Sequence, residues 1–268
     1  MRCHGKDDRR CIATGAQVSF PSILFIAALL VSSPWLQVCA SSQQPSASAT
    51  PGNAPLRGEQ VVDNLLAMNL ERAHALHAYQ GTRHYLLQYH GTWGTRSAEM
   101  VVDLKYQSPG AKEFKIRSST GSKLIIGTVF KKLLQAEQEA LGVEAQRRTA
   151  LNRDNYDFTL VGYDSKPSGS MYILGVKPRT NGEFLYRGRI WVDARDFAVT
   201  RLEAQPAKNP SFWTKHSEID EIYMKVGDFW LPARNHSITN IRFGGRAVLT
   251  IQYQNYEITS ADAVSNLR

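Results

Sequence analysis

A chain of 268 residues is long enough for one sizeable domain or two small ones, and a hydrophobic fraction of 43% with 10% aromatics excludes disorder of the whole. The formal net charge is +8, from 32 basic and 24 acidic side chains. These charges are scattered and no Lys/Arg run reaches five, which argues against a nucleic-acid footprint and for a mildly basic surface suited to anionic membrane lipids.

The first forty residues do not belong to a globule. Arg2, Lys6, Arg9 and Arg10 precede an apolar run, ILFIAALLV (Ile23 to Val31), and a polar step that ends in VCA (Val38 to Ala40). A basic head, a short apolar core and a small-residue exit predict a secretory signal peptide over residues 1–40, cleaved after Ala40. The apolar core falls short of the roughly 20 residues of a spanning helix, so an uncleaved anchor is the second reading. Lipidation at Cys39 is disfavoured by the valine before it. All three cysteines, Cys3, Cys11 and Cys39, lie in this leader, so the exported chain carries no disulfide, thiol nucleophile or thiolate metal site. Its charge is then 28 basic against 22 acidic residues, or +6.

The next stretch, SSQQPSASATPGNAP from Ser41, has no apolar periodicity and reads as a flexible linker over 41–56. A single domain is expected over 57–260, followed by a tail, 261–268. From Glu59 to Leu76 the apolar residues Val61, Val62, Leu65, Leu66, Met68, Leu70, Ala73 and Leu76 recur at three- and four-residue steps, the mark of an amphipathic helix. The period then changes to two. Gly81 to Gly91 alternates weakly, and Ser97 to Gly110 alternates clearly, with Ala98, Met100, Val102, Leu104 and Tyr106 on one face. Pro109-Gly110 marks a turn, and Lys112 to Ser118 returns with Phe114 and Ile116 inward. Thr128 to Leu141 is predicted as a second helix with Gly142 at its C-cap. Seven further strands are expected between Tyr156 and Ile258, with hairpin turns at Gly227-Asp228 and Gly244-Gly245. About ten strands and two helices in meander order predict a mainly β (α+β) fold: a curved antiparallel sheet or incomplete β-barrel whose concave face the helices cover.

Such a sheet has a functional consequence. If it curls, Met100, Val102, Leu104, Phe114 and Ile116 line the concave face, and incomplete cover by two helices leaves an apolar cavity able to take an acyl chain. The alternative is that this face is simply core.

No nucleophile-elbow, zincin, Walker or dinucleotide motif occurs, and no catalytic residue, metal site or cofactor is expected. Glu71, His74 and His77 share a helical face at three-residue steps, yet carboxylate–histidine metal bundles need a second such motif on a facing helix, and the second helix has no histidine. Asp154 and Asp157 precede a strand as ordinary turn formers. In IWVDARDFAVTRLE (Ile190 to Glu203) two aspartates flank an arginine beside a tryptophan. The alternation on both sides makes Asp193 to Asp196 the turn of a hairpin, where aspartate bonds nearby backbone N–H groups. Phe212 and Trp213, side by side in the polar loop NPSFWTK, are the candidate contact for a protein partner, their alternative being to anchor the loop on the core.

Three segments together carry a family likeness: the hairpin Ile190, Trp191, Val192, Asp193, Val199, Arg201; the strand FWLP (Phe229 to Pro232); and the final strand with Tyr253 and Tyr256. They resemble the C-terminal half of the LolA/LolB-like superfamily of outer-membrane lipoprotein-sorting proteins. The resemblance implies a curved, incomplete barrel plugged by helices, a non-catalytic carrier of a lipid or lipoprotein acyl chain, and location in the periplasm of a Gram-negative-type bacterium. It also implies an arginine on an early strand that holds the closed state, here Arg83 or Arg96. The superfamily includes regulators that bind an anti-sigma factor, so an envelope sensor with a membrane-protein partner is the implied alternative.

Overall fold

The computed structural model describes residues 55–264 except 93, 167–168, 183, 210–213 and 243. The expected leader, most of the linker, the end of the tail and the pair Phe212 and Trp213 lie outside the described residues. Helix α1 (Gly58–Ala75) opens the domain, and β1 (Leu76–Gly91), β2 (Gly94–Gln107) and β3 (Ala111–Gly121) follow. A π-helical turn (Ile125–Phe130) runs directly into α2 (Lys131–Glu139), and α3 (Val143–Thr149) comes next. The remaining strands are β4 (Tyr156–Lys166), β5 (Gly169–Pro178), β6 (Tyr186–Asp193), β7 (Val199–Pro206), β8 (Thr214–Val226), β9 (Phe229–Ile241) and β10 (Arg246–Ala261).

All ten strands form one antiparallel sheet in the order β3-β2-β1-β10-β9-β8-β7-β6-β5-β4. Its edge strands, β3 and β4, do not pair with each other, so the sheet is not closed into a barrel. Register shifts interrupt the β1–β10, β2–β3, β4–β5, β6–β7 and β8–β9 ladders, and bulges of this kind bend a strand and increase its twist. The β8–β9 hairpin turns at Gly227, whose φ of 60° is a left-handed conformation that a residue without Cβ adopts at no steric cost.

The helices differ from expectation at three places. Helix α1 stops at Ala75 and the chain becomes extended at Leu76, so His77 sits on β1 instead of on a helical face with Glu71 and His74. There His77 Nε2 lies 2.9 Å from Asp262 Oδ2, beside the β1–β10 ladder. Gly142 is not a C-cap: α2 ends at Glu139 with Ala140 as its C-cap, and Gly142, extended at ψ 141°, is the N-cap of α3, a third helix hidden by its polar sequence VEAQRRT. The second helix also begins earlier, as a π-helical turn that buries Ile125 and Phe130.

The core divides into two main clusters on one face of the sheet. Val61, Val62, Leu65 and Met68 of α1 pack on Tyr156, Tyr172, Leu174, Ile190, Leu202 and their neighbours. Ile125, Phe130 and Leu134 pack on Tyr85, Leu87, Met100, Val102, Leu249 and Ile251. Helix α1 therefore covers one half of the sheet, and the π-helical turn with α2 covers the other.

Candidate functional site

Cross-strand partners place one row of side chains along the inner face from β2 to the edge strand β4: Met100, Tyr85, Ile251, Asn235, Glu221, Leu202, Ile190, Leu174 and Leu160. Every member but Leu160 is buried, and only the central pair, Asn235 and Glu221, is amide or acid. The face is thus two apolar halves joined across a polar middle.

The half formed by β1, β2, β3 and β10 is covered through a charged cluster. Arg83 on β1 is 3% exposed and reaches Glu137 of α2 with both terminal nitrogens, Nη1 to Oε2 at 2.6 Å and Nη2 to Oε1 at 3.0 Å. Lys112 of β3 donates to the same carboxylate at 2.6 Å. The guanidinium also sits 5.1 Å from the Tyr253 ring centroid and 5.5 Å from that of Phe114. Burial by itself pushes the Glu137 carboxyl up, but the charges of Arg83 and Lys112 outweigh it and hold the group well below the usual carboxylate range. A bidentate arginine–carboxylate contact fixes orientation as well as distance, so α2 has one seating on the sheet. Of the two arginines the resemblance offers, Arg83 is in this position, whereas Arg96 is exposed.

The other half is fastened by a second arginine. Arg72 of α1, 6% exposed, donates to the backbone oxygen of Asp196 in the β6–β7 turn. That turn is the expected hairpin: Asp193 Oδ1 accepts from the backbone N–H of Arg195 at 2.9 Å and of Asp196 at 2.8 Å. Asp196 does more than turn the chain. Its Oδ2 accepts from Trp230 Nε1 at 2.8 Å and Lys225 Nζ at 2.6 Å, tying the turn to β9 and β8. Its pKa is lowered because, although burial works the other way, the Lys225 and Trp230 hydrogen bonds favour the carboxylate.

The expected cavity residues occupy different environments. Met100 and Val102, 1% and 0% exposed, lie under the π-helical turn and α2. Leu104, also buried, belongs to a smaller cluster with Ala75, Tyr79, Phe229 and Leu231. Phe114 is partly buried between these clusters, and Ile116, opposite Val102 on the edge strand, is 43% exposed. Ile116 is exposed because β3 is an edge whose outer half no helix covers. Sequence reasoning missed Arg72, Glu137, Glu221 and Asn235. Glu137 follows Leu134 by three positions on the apolar stripe of α2, and Glu221 shares a period-two face with Ile219 and Tyr223. A carboxylate in an apolar register was the available signal.

On the opposite face β7 and β8 are paired only from Arg201 to Ala204, and their splay leaves a groove of about 600 Å³. Its charges satisfy one another, with Arg201 2.6 Å from Glu203 and 2.9 Å from Asp220. Among the described residues no group of three His, Cys, Asp or Glu side chains is placed to hold a metal ion, and no helix is long and apolar enough to cross a membrane.

No family model matches the sequence, and no curated protein matches it. Solved structures do. A LolA superfamily protein from Nitrosomonas europaea is 10% identical, covers 78% of this chain and 96% of its own, and has a TM-score of 0.35. An outer membrane lipoprotein-sorting protein domain from Vibrio parahaemolyticus is 9% identical over 77% of this chain and 95% of its own, at a TM-score of 0.39. A MucA/MucB complex from Pseudomonas aeruginosa matches at 10% identity, 77% and 99% coverage and a TM-score of 0.26. With TM-scores this low, the fold rests on the chain's own strand order and register.

Proposed function

We propose that the protein is an exported, non-catalytic carrier that binds the acyl chain of a lipid or lipoprotein against the inner face of its sheet, in outer-membrane lipoprotein sorting. The observation that carries this reading is the seating of α2. An apolar floor that includes Met100 and Val102 lies beneath a short helix whose orientation is set by the buried Arg83–Glu137–Lys112 cluster. Apolar packing under such a cover can be exchanged for an acyl chain without breaking the sheet, whose ladders run independently of the helix. Met100, Val102, Leu104, Phe114 and Ile116 are the floor and rim of this site. The signal peptide over 1–40 delivers the chain to the periplasm, where a mildly basic surface favours peripheral contact with anionic lipid.

Native mass spectrometry of protein purified from a Gram-negative envelope, with titration of a fluorescent acyl probe, tests the reading. A co-purifying lipid and saturable probe uptake are expected. No lipid together with no uptake overturns it.

The open edge favours a second reading, an envelope sensor or interaction module with a membrane-protein partner. Strand β4 ends the sheet and carries Val161 and Tyr163, 58% and 42% exposed, next to unpaired backbone groups that can extend the sheet into another chain. Phe212 and Trp213 are the loop residues of this reading. Pull-down with Val161→Lys and with Phe212→Ala/Trp213→Ala separates the two surfaces, and unchanged capture by both variants removes this reading.

A further inference from the structure

One end of the sheet gathers cations from strands far apart in the chain. The β1–β2 turn closes at Gly91 and Gly94, β3 ends opposite Ala98, His90 faces Arg246 at the start of β10, and Thr214 opens β8 opposite Ile241. Tyr89 Oη donates to the Gly244 backbone oxygen at 3.3 Å and holds the β1–β2 and β9–β10 hairpins together. Arg96, Lys123, Lys215, Arg242 and Arg246, all exposed, lie at this end, and the stretches 88–98, 118–126, 214–217 and 238–250 that build it contain no aspartate or glutamate. Among the described residues no carboxylate pairs with Arg96, Lys123, Lys215 or Arg246, whereas Arg117, Arg179 and Arg234 elsewhere on the sheet each have one. The opposite end is balanced. There Asp193, Asp196 and Asp228 accompany Arg195 and Lys225, and Lys225 Nζ is 2.6 Å from Asp196 Oδ2.

The spread of these charges decides what they meet. They extend over six adjacent strands, β3 to β8 in the sheet order, or about 24 Å at about 4.8 Å per strand. A single phosphate or carboxylate cannot engage cations so dispersed, and a two-dimensional array of anionic headgroups can. Beside Lys123 stands Leu124, 60% exposed. An apolar side chain framed by cations suits the boundary between headgroups and acyl chains.

We propose that this end of the sheet docks on the surface of an anionic phospholipid bilayer, its five cations against the headgroups and Leu124 between them. The docking surface rests on the peripheral contact in the carrier reading and gives it an orientation. Leu124 is the N-cap of the π-helical turn, so the cover of the acyl site begins at the bilayer.

The test is co-sedimentation of the protein recovered after export with vesicles of phosphatidylcholine, alone or with about 30% phosphatidylglycerol. A preference for the anionic vesicles that weakens as salt rises is expected. Arg96→Glu/Arg246→Glu should lower anionic-vesicle binding at least about 25-fold, about fivefold for each cation lost, and Arg96→Lys/Arg246→Lys should retain it. Leu124→Ser should lose about fivefold. The control is Lys105→Glu/Arg195→Glu, the same change in net charge at the opposite end. Lys105 lies 105 minus 96, or nine, residues along β2 from Arg96, which is about 30 Å and several Debye lengths, so binding by the control should change less than about twofold. Circular dichroism and thermal melting verify that each variant is folded. Unchanged binding by Arg96→Glu/Arg246→Glu, or an equal loss by the control, overturns the assignment to this end and leaves the peripheral contact standing. No preference for anionic vesicles overturns both, while the acyl site keeps its own test by native mass spectrometry. Tighter capture by immobilised polyaspartate than by the vesicles assigns the end to an acidic protein and overturns the bilayer.

Discussion

Replacing Glu137 by leucine strips the buried Arg83 of its partner. The two side chains are 9% and 4% exposed, and that of Lys112 is 12% exposed, so only the lysine can reach water without moving the helix. Three short hydrogen bonds, at 2.6, 3.0 and 2.6 Å, converge on the carboxylate. Each charge-assisted bond is nominally worth about 1.5–3 kcal/mol, but their sum overstates the case because desolvation of three charges opposes it. Removal of one partner from a buried pair typically costs about 3–5 kcal/mol, chiefly the cost of the stranded charge. Because α2 is short and buries little beyond Leu134, Ala136 and Glu137, the loss should appear as local opening of the helix and not as unfolding of the sheet. Native-state hydrogen exchange reads this directly. The amides of α2 are expected to exchange at least 100-fold faster in Glu137→Leu, the equivalent of about 3 kcal/mol, while those of β5 and β6 keep their protection. Adding Arg83→Met removes the stranded charge, and the double variant should recover most of the loss. Unchanged exchange in α2, or a double variant no better than Glu137→Leu, refutes the claim that this cluster seats the helix.

The carboxyl of Glu221, pushed up to about 8 by burial, gives stability a pH dependence of definite sign. Below its ordinary value of 4.5 both states are protonated; between 4.5 and about 8 only the unfolded chain ionises, so stability falls as pH rises through that window and levels off above it. Glu221→Gln should abolish this slope and be more stable than its parent at pH 8, by up to roughly 5 kcal/mol at about 1.36 kcal/mol per pH unit; parallel urea-denaturation profiles from pH 4 to 8 would exclude a buried neutral acid. Phe130, fully buried beneath the π-helical turn, should cost about 3–5 kcal/mol as Phe130→Ala, and a midpoint shift of under 1 kcal/mol in chemical denaturation would mean it is not core. At Gly188 an added Cβ runs into the Glu203 carbonyl oxygen and Ala204 Cα, so Gly188→Ala should lower the melting temperature through a shift of β7 worth about 1–3 kcal/mol; an unchanged melting curve argues against that register.

The strands were legible because alternation is a local code. Ala98, Met100, Val102 and Leu104 face inward as their spacing predicts, and the Asp193 turn follows from the chemistry of aspartate at a chain reversal. What alternation omits is the neighbour of each strand. Nothing in Leu76–Gly91 announces that it pairs with Arg246–Ala261, and without that pairing the central row of the sheet cannot be drawn. The missed α3 has too few apolar residues to show a helical period, and its placement depends on Gly142. The fastening residues were missed for another reason. Arg72, Arg83 and Glu137 are charged, and a charged residue is ordinarily read as solvated; each is buried only because a partner from a distant segment compensates it. Ile116 shows the converse, an inward residue left exposed because its strand ends the sheet.

The pairing of first strand with last sets the order of assembly. Every other strand pair joins neighbours in the chain and can form as a hairpin, but His90 meets Arg246, 246 minus 90 or 156 positions later, at the near end of the β1–β10 ladder. That ladder joins the three-strand sheet under α2 to the remaining strands, so its formation closes the longest loop of the sheet and carries its largest closure entropy. Until β10 arrives, β1 and β9 are both bare edges. An interrupted or truncated chain therefore presents two sticky margins in the middle of what should be a continuous sheet, and its hazard is self-association in place of simple instability.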